Sequence, residues 1–176
     1  MRWSVILLAL VLAGCTTKMG KDGRTESSVD VKYLAKSEVD RVADATRSEV
    51  MDGLMLIADK LYKRNPKEWK KAGLASREQA LERLRNRFYR SLPELAGQRE
   101  GQAAALAFSE VYSGDRVAAL MLGLLTMVDA AFEHRAEFFL LDSLNEQKLF
   151  NCARNMEVAV WKLGNDRNAA GELYLL

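Results

Sequence analysis

Residues 117–128 read VAALMLGLLTMV, a run that is apolar on every side of any helix it could form. Twelve residues make a helix of about 18 Å, short of the roughly 20 residues that a bilayer core requires. A segment that can face neither water nor lipid must be buried by its own chain. It therefore predicts a central helix walled in by other elements. The chain has 176 residues, enough to build those walls as one domain and too few for two large lobes. Its 2 Pro and 11 Gly with 49% hydrophobic residues argue against a fibrous or disordered polymer.

The surrounding sequence supplies helical walls. From Ala35, Val39, Val42, Val50, Leu54, Ile57 and Leu61 recur at steps of three or four, widened by Ala43, Met51, Met55 and Ala58. That pattern predicts an amphipathic helix of about 28 residues. Asn65-Pro66-Lys67-Glu68 reads as a new helix start, with Gly73 as its stop. Ser76-Arg77-Glu78-Gln79 reads as a capping box opening a helix that Leu92-Pro93 breaks. A third stretch runs from Gln98 to Tyr112. Asp115 can cap a long helix over 116–142, and Ser143-Leu144-Asn145-Glu146 opens another that stops at Gly164. A last short helix is expected from Asn168, with the apolar end Leu173-Tyr174-Leu175-Leu176 docked on the bundle or on a partner. No segment reads as a strand. The expectation is an all-α bundle of about five to six helices over 35–176, behind a flexible tether.

The first fifteen residues combine one positive charge (Arg2), an apolar run from Trp3 to Leu12, and the small-residue close Leu12-Ala13-Gly14-Cys15. A basic start, a short apolar core and a small-residue cleavage site make a secretory signal over 1–14. Leu-Ala-Gly-Cys resembles the lipobox of bacterial lipoproteins. The resemblance implies diacylglyceryl transfer to the Cys15 sulfur, cleavage before Cys15 and acylation of the new amino terminus. In Gram-negative lipoproteins an Asp directly after that cysteine commonly retains the protein at the inner membrane. Thr16-Thr17 stands there instead, so the resemblance implies an outer-membrane anchor facing the periplasm. It covers the signal and Cys15 alone. Residues 15–34 read as lipidated cysteine plus tether. The polar stretch Thr16 to Lys32 has no helical or strand period, and its seventeen residues reach about 55–60 Å when straight.

Residues 60–90 hold eleven Lys or Arg against Glu68, Glu78 and Glu82, a net charge of +8. Residues 91–176 carry seven basic and twelve acidic side chains. Such asymmetry steers anionic partners. Lys63, Arg64, Lys67, Trp69, Lys70, Lys71, Arg83 and Arg87 are the candidate patch, with Trp69 suited to an interfacial contact. A secreted chain does not meet nucleic acid, so the expected partners are an acidic envelope protein or anionic lipid. The blander reading is a solvated helix face, paired with the bundle's own acids.

Asp129, Glu133 and Glu137 are spaced to line one helical face, where carboxylates could ligate a metal or exchange protons. His134 and Arg135 sit beside them and can neutralise them. The single histidine excludes sites that need two, such as HExxH. With Cys15 assigned to lipidation, Cys152 has no disulfide partner, and its row with Leu149 and Met156 reads as buried packing. No phosphate loop or nucleophile elbow occurs. No cofactor is expected. The sequence is read as a non-catalytic, membrane-anchored helical module that binds an envelope protein, as an assembly factor, adaptor or pilotin-like accessory. A binder of lipid or another amphiphile is the alternative. A peptidoglycan-acting enzyme comes third, and would need a cleft sheltering Glu133, His134 or Glu110.

Overall fold

The computed structural model describes residues 16–19, 25–28, 36–88 and 90–175. The signal and Cys15 lie outside them. Among the described residues the body is all-α, with six helices: α1 (Glu38–Arg64), α2 (Pro66–Lys71), α3 (Arg77–Arg87), α4 (Glu100–Leu106), α5 (Arg116–Ala131) and α6 (Glu146–Asn165). A 3-10 turn at Pro93–Leu95 joins α3 to α4.

The apolar run is the central element. Every residue of α5 from Val117 to Asp129 is buried, packed by α1, α4 and α6, with α2 at its start and α3 reaching along it to Leu125. Asp115 caps it by accepting from Ala118 N at 2.9 Å. Helix α4 approaches α5 so closely at Gly123 that a Cβ there would lie 2.5 Å from Ala104 N and 2.6 Å from Glu100 O. Helices α1 and α5 run antiparallel. Arg47 meets Asp129 at one end (2.9 Å), and Tyr62 meets Asp115 at the other (2.8 Å). The molecule thus has two poles. One holds the start of α1 and the end of α5, the other the end of α1, α2 and the start of α5.

Several expectations need correction. Thr16–Met19 pairs antiparallel with Thr25–Ser28, Thr16 opposite Ser28, so the tether contains two short strands. The intervening sequence holds Gly20, Asp22 and Gly23, residues that favour tight turns. Helix α1 begins at Glu38, after a reciprocal capping box of Ser37 and Asp40, and Val39, Val42 and Ile57 of its expected stripe are exposed. Asn65 forms no side-chain cap; its amide donates to Leu61 O and Leu175 O. Asn145, not Ser143, caps α6, accepting from Lys148 N. The stretch expected as helix over 98–112 is helical only across Glu100–Leu106. Residues after Asn168 make a turn and an Arg167–Leu173 bridge instead of a helix. The C-terminal residues do dock on the bundle, with Leu175 fully buried. Helix α5 stops eleven residues early, because the chain turns back to bury Phe138 against Phe132, with Glu133 and His134 in left-handed backbone.

Candidate interaction surface

The basic residues occupy the pole formed by the end of α1, by α2 and by α3, three helices in mutual contact. Helix α2 is docked by Glu68, which is fully buried and accepts from Arg116 N at 2.9 Å and from Lys71 Nζ at 2.8 Å. Trp69 is half-buried against the core, with the Lys70 ammonium 5.4 Å from its ring centroid. Proline at the first position and the buried Glu68 fix the helix, so its other cations face outward.

The surrounding acids take only some of these charges. Lys63 pairs with Asp59 at 2.6 Å, which holds the Asp59 carboxyl below the usual range. Arg77 pairs with Asp59 and Glu78, Lys71 with Glu68, and Arg83 with Glu94 as a two-pronged fork at 2.7 Å. Of these acids, Glu94 alone comes from the acidic half of the chain. Arg64, Lys67 and Arg87 are exposed and, among the described residues, have no ion pair, as do Lys60, Lys70, Arg85 and Arg90. The candidate patch therefore divides. Lys63, Lys71 and Arg83 are tied inward, while Arg64, Lys67, Lys70 and Arg87 present charge to solvent.

The carboxylate row does not exist as a face. Asp129 is buried and binds Arg47 and His134 Nδ1 (2.7 Å); Glu133 pairs with Lys148, and Glu137 approaches Lys36 at 3.7 Å. His134 has a side chain 68% exposed. Glu110 lies at the opposite pole, accepting from Tyr174 OH and Ala169 N. The length of α5 separates it from His134. Cys152 is buried on the core side of α6, and burial pushes its thiol up, away from a reactive thiolate. Among the described residues no group of three or more His, Cys, Asp or Glu is placed to hold a metal ion.

Three features carry no mark in the sequence reading. A buried polar seam links Tyr62, Asp115, Glu68 and Arg116 behind the basic surface. A groove of about 180 Å3 lies between α4 and α6 with α5 beneath it, lined by Ala104, Phe108, Met127, Val158 and Lys162. None of the patch residues lines it. Large apolar side chains are exposed along α6 (Phe150, Val160, Trp161) and in the preceding loop (Leu140, Leu141). The apolar row expected for the core face of α6, Leu149, Cys152, Ala153, Met156, Val160 and Leu163, includes Val160, which is exposed instead; the loop leucines were hidden inside the helix expected over 116–142. No helix among the described residues is long and apolar enough to cross a membrane. No family model, curated protein or solved structure matches the chain.

Proposed function

We propose that the chain is a non-catalytic helical module, anchored through lipidated Cys15 to the outer membrane and facing the periplasm, that binds an acidic surface on an envelope protein. It would serve as an assembly factor, adaptor or pilotin-like accessory. The observation that carries the reading is the set of exposed cations on α1, α2 and α3, Arg64, Lys67, Lys70 and Arg87, that have no ion pair among the described residues. Unpaired charges on an exposed surface add little to stability, but they raise encounter rates with an oppositely charged partner. Those on α1 and α2 lie at the pole away from the start of α1, where the tether joins, and α1 is about 40 Å long, while α3 carries its cations back along α1 as far as Met51. An anchored body would hold them toward the periplasm rather than toward head groups.

The amphiphile-binding alternative rests on the groove between α4 and α6. Its one cation, Lys162, is held by Asp166 at 2.5 Å, and the free cations stand elsewhere, so the groove lacks a head-group site. The test is to replace Arg64, Lys67 and Arg87 with Glu and to capture partners from crosslinked envelopes, with co-purifying lipid analysed in parallel. All three are exposed, so each should change stability by no more than about 0.5 kcal/mol. The expected result is loss of a stoichiometric envelope protein from the capture, with an unchanged melting temperature. Undiminished capture at low salt would overturn the reading. A phospholipid captured without any protein would replace it with the alternative.

A further inference from the structure

The turn Phe139–Asp142 carries two leucines at its tip. Asp142 N donates to Phe139 O at 2.7 Å and Phe139 N donates to Asp142 Oδ2 at 3.0 Å, so Leu140 and Leu141 hold the central positions, 67% and 96% exposed. Turn corners favour Gly, Pro, Asn, Asp and Ser for reasons of backbone geometry, none of which calls for leucine. The turn is fixed to the body. Phe138 is buried, its N–H donates to Asp44 Oδ1 at 2.8 Å, and Arg135 pairs with Asp142 at 2.8 Å. An apolar tip held in water gains free energy only when something covers it.

The chain itself indicates what does. Lys36, where the body begins, lies 5.1 Å from the Phe139 ring centroid and pairs with Asp44. The tether thus enters the body beside the leucine tip. Strand pairing sets Thr16, the neighbour of Cys15, opposite Ser28. The eight residue steps from Ser28 to Lys36 span at most about 30 Å. Each cation around the tip is paired: Arg135 with Asp142, Lys148 with Glu133, and Lys36 with both Asp44 and Glu137, three cations against four carboxylates. The leucines and the tether's entry, not charge attraction, therefore favour the contact.

We propose that Leu140 and Leu141 seat in the phospholipid interface of the membrane that anchors Cys15, forming a second contact that orients the body with its basic pole outward. This rests on the lipobox reading. The experiment uses the lipidated full chain in vesicles of phosphatidylethanolamine and phosphatidylglycerol. A nitroxide is attached at Leu141→Cys, with Val111→Cys (92% exposed, near the start of α5) as reference. Cys152 is buried and resists labelling. Position 141 is expected to collide several-fold more with oxygen and several-fold less with a water-soluble nickel complex than position 111. Replacing Leu140 with Ser should reduce that difference. Protein that floats with the vesicles but whose position 141 is as wet as 111 overturns the seating and leaves the anchor intact. A label shielded from both reagents, with the protein dimeric in detergent, overturns it in favour of a second copy. Protein that does not float overturns the anchor and the seating together.

Discussion

Asp115 combines a local role with a distant one. Its Oδ1 accepts from Ala118 N and caps α5, while its Oδ2 accepts from Tyr62 OH, fifty-three residues away. Burial raises its carboxyl above the usual value near 3.8. The folded state therefore binds the proton more tightly than the unfolded chain does. Below about 3.8 that contribution is fully present, and it fades as the pH climbs through the raised folded value. Relative to Asp115→Asn, the wild type should gain melting temperature as the pH falls from 7 toward 4, and parallel thermal scans of the two proteins read this directly. Asp115→Ala removes the cap and strands the buried tyrosine hydroxyl, so a loss of about 2–4 kcal/mol is expected in urea unfolding. The cap was legible in the sequence, because capping acts over three residues. Tyr62 and Glu68 were not, since their partners Asp115 and Arg116 come from another element and no short-range pattern marks them.

The six helices were legible as elements, and their lengths were legible where a cap or a buried stripe set them. Ser76 caps α3 by accepting from Gln79 N, and the core face of α6 follows Leu149, Cys152, Met156 and Leu163, whereas Ala153 and Val160 of the same expected row face solvent. The failures sit where tertiary packing overrides local propensity. Nothing between Phe132 and Asp142 breaks a helix, yet burying Phe138 and tying Asp129 to Arg47 requires the chain to turn. Gly123 is the clearest case of meaning invisible to pattern. In a lone helix Gly→Ala would stabilise by about 1 kcal/mol. Here the added methyl would meet the α4 backbone at 2.5–2.6 Å, atoms that no rotamer change can move. Gly123→Ala should therefore destabilise by about 1–3 kcal/mol or more, seen as a lower melting temperature, whereas the open Gly53 changed to Ala should raise it.

On the scale of the molecule, the proposed acyl anchor and the proposed leucine seating differ in magnitude. Two leucines, fully buried, contribute at most about 3–6 kcal/mol before the cost of orienting the body. An acyl chain contributes about 0.8 kcal/mol per buried methylene, so two or three chains on one cysteine exceed the leucine tip several-fold. On the proposed reading the tip orients the body and the acyl chains retain it. Cys15→Ser should consequently move the protein from the membrane fraction to the soluble periplasmic fraction even with Leu140 and Leu141 intact. Fractionation after a carbonate wash measures the difference. A Cys15→Ser protein that stays with the membrane would assign retention to the body, and the basic pole would then have to be considered a head-group surface. The lipidated protein, by contrast, should remain bound after Leu140 and Leu141 are both replaced with Ser, because orientation and retention are proposed to reside in different parts of the chain.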